Sequence, residues 1–146
     1  MINVQVIGNT EKIRQAVAGD EMCLSCLEDE VQALNVAEKA RPSIILLDYN
    51  LRKAETDDYI GLLLNVSADS KIIVIVDGVN EEQIFACLVA GAKGYQNINR
   101  LNEYAIKMIK VVDAGEAWVA RRMVAKLLDA LVQKRGFAFL AEGESA

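Results

Sequence analysis

No histidine occurs anywhere in the chain. That absence removes the commonest general base and the commonest metal ligand, and it excludes Ser-His and Cys-His nucleophilic mechanisms. Cysteine is scarce, with three residues. An odd number in a chain without a secretory signal argues against a disulfide framework. Cys23 and Cys26 have the spacing of a redox or zinc pair, but zinc needs more ligands than this chain supplies: there is no second pair and no histidine. Residues three apart on a strand face opposite ways, so both are expected to be small buried residues. No apolar run approaches the ~20 residues that span a bilayer. Met1 to Gln5 lacks the charged and apolar regions of a signal peptide, so a cytoplasmic protein with no membrane association is expected. Bases are outnumbered, 16 against 21 acids, for a net charge of −5. Nothing in that balance points to a bulk nucleic-acid-binding surface.

What the chain does contain is a series of short apolar runs. The clearest is Ile44-Ile45-Leu46-Leu47, which leads into Asp48. An unbroken run of this length reads as a strand buried on both faces, hence the centre of a parallel sheet. In open α/β sheets, function gathers beyond the carboxyl ends of such strands. Asp48 sits at that end and is the first candidate site residue. The plainer account is an acidic loop cap.

Other runs repeat the pattern. Asn3 to Ile7 reads as a strand ended by Gly8 and Asn9, and Thr10 can cap a helix with Ile13, Ala16 and Val17 on one face. After a turn at Gly19-Asp20, Met22 to Leu27 reads as a strand. Glu28 to Ala40 reads as a helix with Leu27, Val31 and Leu34 on one side. Pro42, the single proline, stops it. A loop follows Asp48 to Glu55, and Thr56 can cap the next helix, which runs to Val66. Asp57 and Asp58 fall in its first turn, where the helix dipole makes capping a better account than ligation. Lys71 to Val76 is another doubly buried strand. Asp77 to Asn80 turns into a helix, with Asn80 and Gln83 as a capping box, and Gly91 ends it. Gly94 to Asn97 is a short strand. Asn99 can cap a helix whose apolar face is Leu101, Tyr104, Ala105, Met108, Ile109 and Val112.

Strands alternating with helices predict an α/β fold with a five-stranded parallel doubly wound sheet in the order 2-1-3-4-5. Its switch point lies between strands 1 and 3, beside Gly8, Asn9 and Asp48. The first turn lacks the glycine spacing of a phosphate loop or a dinucleotide fold. Residues 1–117 make the α/β domain. Residues 118–135 make an extra amphipathic helix with apolar rows Met123, Leu127, Leu131 and Val124, Leu128, Val132. That helix either packs back on the domain or serves as a linker or dimer contact. Residues 136–146 read as a flexible tail.

The pattern resembles the receiver domain of bacterial response regulators, in the branch that carries a LuxR/NarL-type helix-turn-helix effector. The resemblance rests on Arg41 to Asp48, on Lys71 to Ile75, on Ala90-Gly91-Ala92-Lys93-Gly94-Tyr95 and on Ala114-Gly115-Glu116-Ala117-Trp118. It implies a phosphoryl-acceptor Asp, an acid pair that helps hold Mg²⁺, a Thr or Ser after strand 4 and a Lys after strand 5. Asp48 matches the acceptor. The acid pair falls on Gly8 and Asn9, the hydroxyl position on Val76, the Lys position on Ile98 and a following proline on Arg52. Asp77 and Arg100 lie near the lost groups in sequence. Tyr95 falls on the aromatic switch position. The resemblance thus implies an atypical, non-enzymatic receiver, weak Mg²⁺ binding at best through Asp48 and Asn9, and no other cofactor. It implies a homodimer, a sensor kinase or other signalling protein as partner, and DNA contact only through a domain beyond Ala146. The alternatives are a receiver still phosphorylated on Asp48, and a doubly wound domain that binds a small molecule near Gly8 and Asn9.

Overall fold

A computed structural model describes residues 1–19 and 21–145, with side chains described as far as Gln133 apart from that of Thr10. Asp20 of the expected Gly19-Asp20 turn and Ala146 lie outside these residues. The strands are β1 (Ile2–Ile7), β2 (Met22–Leu27), β3 (Ile44–Asp48), β4 (Lys71–Val76) and β5 (Gly94–Asn97). They form one parallel sheet in the order β2-β1-β3-β4-β5. The helices are α1 (Thr10–Val17), α2 (Glu30–Ala40), α3 (Tyr49–Arg52), α4 (Thr56–Val66), α5 (Glu81–Val89), α6 (Leu101–Asp113) and α7 (Arg121–Ser145). The fold is the doubly wound one that the alternation of runs predicts.

The central strand shows why. Successive side chains of a strand point to opposite faces. Ile45 and Leu47 enter a core with Ala33 and Ala37 of α2 and with Tyr59, Ile60 and Leu63 of α4. Ile44 and Leu46 enter a second core with Ile13 and Val17 of α1 and with Ala105, Met108, Ile109 and Val112 of α6. Each such side chain contributes about 1.5–3 kcal/mol on burial. Covering both faces therefore requires the strand to be apolar at every position.

Several local expectations give way to tertiary contacts. Asp29 caps α2, accepting from Val31 N at 2.9 Å and Gln32 N at 2.8 Å, so the helix starts at Glu30 rather than Glu28. Ala33 and Ala37 face the sheet, which turns Val31 outward to 63% exposure. Thr10 is the first residue of α1, and Asn9 holds the cap position without a side-chain bond. Thr56 is no cap either. It is buried, and its Oγ1 donates to Lys53 O at 2.7 Å and Tyr49 O at 3.3 Å. The loop expected after Asp48 is therefore wound into α3 and a 3₁₀ turn at Lys53–Glu55. Asn99 lies inside a 3₁₀ turn whose cap is Asn97, with Asn99 N donating to Asn97 Oδ1 at 2.9 Å. The Asn80–Gln83 contact is present, with Gln83 N donating to Asn80 Oδ1 at 3.0 Å.

Cys23 and Cys26 are both exposed, contrary to expectation, whereas Cys87 is buried. The cause is the position of β2 at the sheet edge, where β1 is its only strand neighbour among the described residues.

Arg52, at the position where the resemblance expects a proline, ties α3 to α2. Its guanidinium lies 2.9 Å from Glu30 Oε1 and 3.3 Å from Glu55 Oε2, and 5.5 Å from the Tyr59 ring. Tyr59 OH donates to Glu30 O at 2.6 Å. Burial, then the nearby Glu30 carboxylate, pushes the Tyr59 phenol from 10.0 up to about 12. A raised phenol pKa means that the folded state holds its proton longer than the unfolded chain. This contribution is complete below pH 10.0 and is lost as pH rises toward about 12. Urea unfolding at a series of alkaline pH values is expected to show that fall. In Tyr59→Phe the fall should be smaller, and an unchanged slope would exclude the tyrosine as its source.

The C-terminal segment is part of the domain. Trp118 bridges to Gly94 beside β5, and Met123 of α7 is 1% exposed within the α2–α4 core, with Leu127 and Phe85 packed against it. The expected division between residues 117 and 118 therefore runs through a continuous core. The helix also passes its expected end at Arg135 and continues to Ser145. A glycine such as Gly136 costs a helix only about 1 kcal/mol relative to alanine. Of the two apolar rows, Met123 and Leu127 face the domain, while Val124, Leu128, Leu131 and Val132 remain exposed.

Candidate functional site

Asp48 ends β3 at the switch point between β1 and β3, and its carboxylate is held from two sides. Asn50 N donates to Oδ1 at 3.0 Å and Asn9 N donates to Oδ2 at 3.1 Å. The side chain thus caps α3 and clamps the β1–α1 turn to the end of β3. Gly8 makes that clamp sterically feasible. Its φ is +114°, and a Cβ there would lie 2.4 Å from Asp48 Cβ. Gly8 N also donates to Leu27 O at 3.0 Å, so the turn is fixed on the β2 side as well.

Beyond Asp48 lies a cavity of about 50 Å³ lined by Asn9, Lys12, Asp48, Val76, Asp77 and Ile98, among others. A water's share of liquid volume is ≈ 30 Å³, so this space suits a water or a small ion. The fold brings together the expected Asn9, Asp48, Val76, Asp77 and Ile98, with Gly8 beneath them. Val76 and Ile98 make two of its walls apolar. Lys12 was not expected. It lies a helical turn after Asn9, and that i+3 spacing is the only signal in sequence that α1 would turn it toward the pocket. Asn50 was also missed. Its place two residues after an Asp is the pattern of a side chain bonding its own turn. Arg100 does not line the cavity: it bonds Glu103 Oε2 at 3.0 Å and Tyr104 OH at 2.8 Å.

These residues fit Mg²⁺ poorly. The ion needs hard oxygens in near-octahedral order. The cavity offers two carboxylates, one of them already accepting two backbone N–H bonds, together with the lysine Lys12. Among the described residues, no group of three or more His, Cys, Asp or Glu is placed to hold a metal.

Tyr95 stands apart from this cavity. It lies on β5 and lines an open groove of about 460 Å³ with Gln96, Trp118 and Ala120. Its OH accepts from Ala120 N at 3.3 Å, and its N–H donates to Trp118 O at 3.2 Å. Trp118 Nε1 donates to Gln96 Oε1 at 2.9 Å, and its ring centroid lies 6.0 Å from that of Tyr104. The structure therefore links Tyr95 to the start of α7.

No family model matches the chain. The chain is 28% identical over 107 residues to the oxygen regulatory protein NreC of Staphylococcus epidermidis, covering 73% of this chain and 49% of that protein. It is 28% identical over 101 residues to the transcriptional regulatory protein DegU of Brevibacillus brevis, covering 69% of this chain and 43% of that protein. Among solved structures, the isolated REC domain of RcsB from Salmonella enterica serovar Typhimurium superposes with a TM-score of 0.75 at 17% identity, over 88% of this chain and 99% of that one. The signal receiver domain of the putative response regulator NarL from Mycobacterium tuberculosis superposes with a TM-score of 0.70 at 16% identity, over 79% and 98%. The fold is that of these receiver domains. The chain spans about half the length of the regulators it matches. No helix among the described residues is long and apolar enough to cross a membrane.

Proposed function

We propose that this receiver acts in signal transduction and transcription control without phosphoryl transfer, and that it works through association with a second copy or a partner protein. The observation that carries this reading is the state of Asp48. Its two oxygens accept backbone N–H bonds from Asn50 and Asn9, and its neighbours are Gly8, Asn9, Val76 and Ile98 in place of acids, hydroxyl and lysine. A phosphoryl group on Asp48 would lack the carboxylates that hold a metal, and the position after β5 that would carry a cation is Ile98, which leaves Lys12 of α1 as the lysine lining the cavity. In this reading the domain is not an enzyme, is cytoplasmic and needs no cofactor. The exposed residues Val124, Leu128, Leu131 and Val132 of α7 supply an apolar surface toward a signalling partner such as a sensor protein. Any contact with DNA would be made by a separate domain and not by this one.

Amide NMR titration with Mg²⁺ and then beryllofluoride, a stable stand-in for a phosphoryl group, tests the reading. Signals of Gly8, Asp48 and Tyr95 are expected to stay still at millimolar metal. Saturable shifts that vanish in Asp48→Ala would establish the competing reading instead, in which Asp48 is phosphorylated with Asn9 and Asp77 at the metal.

A further inference from the structure

Gln5 is the polar residue within the apolar run Val4 to Ile7 of β1, and it is fully buried. Its side chain lies on the α2 face of the sheet, where Nε2 donates to Ala33 O at 2.9 Å. Its Oε1 is buried and accepts no bond among the described residues. A buried acceptor left unmet costs free energy, and folded proteins satisfy nearly all such groups. The two polar atoms of an amide point apart, so Oε1 is directed away from Ala33. The cavity that Gln5 lines lies toward the far end of α2, beside Ala40 and Pro42. It measures about 230 Å³ and is also lined by Asn3 of β1 and by Cys23 and Ser25 of β2. Strand register brings these residues together. Asn3 is paired with Cys23 and Gln5 with Ser25, so the four side chains share one face. Asn3, Cys23 and Ser25 are exposed and form the rim, while buried Gln5 forms the floor. The Asn3 amide and the Ser25 hydroxyl bond no other described residue.

We infer that this cavity is a binding site for a small uncharged molecule of the amide type, one that presents an N–H donor beside a carbonyl. The floor is an acceptor, Gln5 Oε1, so the ligand must donate to it. No acid or base side chain lines the cavity, so nothing there offsets the cost of taking a charge out of water. At the rim, the Asn3 side-chain N–H and the Ser25 O–H are donors suited to the ligand's carbonyl. The volume is several times a water's share of ≈ 30 Å³ and below the ≈ 300–1,000 Å³ of sites for drug-sized ligands, which sets the size of the molecule. The site is separate from the Asp48 pocket. Asn3 and Pro42 lie toward the amino ends of β1 and β3, whereas Asp48 is the carboxyl end of β3. Occupancy here does not depend on the chemistry of Asp48.

Acetamide is the probe, and acetone, which has nearly its shape but no N–H, is the control. Titration of the full chain followed by NMR should show saturable acetamide shifts at Asn3, Gln5, Cys23 and Ser25, the Gln5 side-chain amide included. Half-saturation is expected in the millimolar range, as befits so small a molecule. Acetone should give no saturable shift at these residues, and the signals of Asn9 and Asp48 should stay still with both. Gln5→Leu keeps the side-chain bulk and removes Oε1. It should weaken acetamide binding by about tenfold, the factor that one hydrogen bond supplies, with the far-UV circular dichroism unchanged. Should that variant fail to fold, the comparison of acetamide with acetone on the native chain still decides. The two β2 thiols give a second readout. Cys23 lines the cavity, whereas Cys26 is exposed but does not. Saturating acetamide should slow the labelling of Cys23 by N-ethylmaleimide and leave that of Cys26 unchanged. No response to acetamide would mean that water alone meets Gln5 Oε1, and it overturns the proposal. Equal responses to acetone, equal binding in a folded Gln5→Leu, or equal protection of both thiols overturns it as well.

Discussion

Gly8→Ala is expected to destabilise the domain by about 2–5 kcal/mol, adding backbone strain to overpacking. Two independent features produce the effect. The φ of +114° is a conformation that side chains rarely adopt, and the added Cβ would sit 2.4 Å from Asp48 Cβ. The turn cannot easily retreat, since Gly8 N is bonded to Leu27 O and Asn9 N to Asp48 Oδ2. Urea unfolding of Gly8→Ala measures the cost. A loss below about 0.5 kcal/mol, the range of ordinary surface substitutions, would mean that the turn relaxes and that the clamp is weak. The same geometry bears on function. Gly8→Asp returns an acid to the position that the receiver family uses, yet its Cβ meets the same obstacle. We expect Gly8→Asp to be at least as unstable as Gly8→Ala and to gain no measurable Mg²⁺ affinity by calorimetry. Tight Mg²⁺ binding in a stably folded Gly8→Asp would show that the pocket differs from its relatives by one residue rather than by construction.

The second large effect is at Met123. Met123→Ala should cost about 2–5 kcal/mol, the range for removing a buried Met or Leu side chain. Met123 is 1% exposed within the core that also holds Tyr59, Leu63 and Leu88. Around it, Arg122 Nε lies 2.7 Å from Glu81 Oε1, and Lys126 Nζ lies 5.2 Å from the Phe85 ring. These exposed contacts add little by themselves, so the apolar side chain is what seats α7 on α5. Leu128 on the outer face is 56% exposed, and Leu128→Ala should change stability by about 0.5 kcal/mol or less. Chemical denaturation of the two variants side by side decides the matter. Equal, small losses would mean that α7 is a detachable linker and that residues 1–117 suffice for the fold. A large loss confined to Met123→Ala would mean that α7 completes the core.

The strand pattern was legible in sequence because burial on two faces leaves no choice of residue. Ile44 to Leu47 and Ile72 to Val76 must be apolar at every position, and that run, followed by Asp48, marks the centre of the sheet and the carboxyl end of its strands. The alternation of such runs with helical spacing was enough for the strand order, since right-handed crossovers leave few others. Caps and helix starts were not legible. Thr10, Thr56 and Asn99 are all residues with good capping chemistry, but Thr56 spends its hydroxyl on Tyr49 O and Lys53 O because packing buries it. Whether Cys23 and Cys26 are covered depends on which strand ends up at the sheet edge, a property of the whole topology and not of the residues themselves.

The site divides in the same way. Which residues fall beside Asp48 follows from strand ends and family order, and Asn9, Val76, Asp77 and Ile98 do line one cavity. The arrival of Lys12, the double backbone clamp on Asp48 and the close approach that requires Gly8 depend on ångström distances between segments far apart in the chain. So does the seating of α7 on the core through Met123. Sequence by itself determined the periodicities, and through them the sheet order and the residues at the carboxyl ends of its strands, because one-dimensional patterning decides which faces are buried. Only the tertiary structure decided how those ends are closed, since contacts between distant segments depend on where packing brings each backbone to rest.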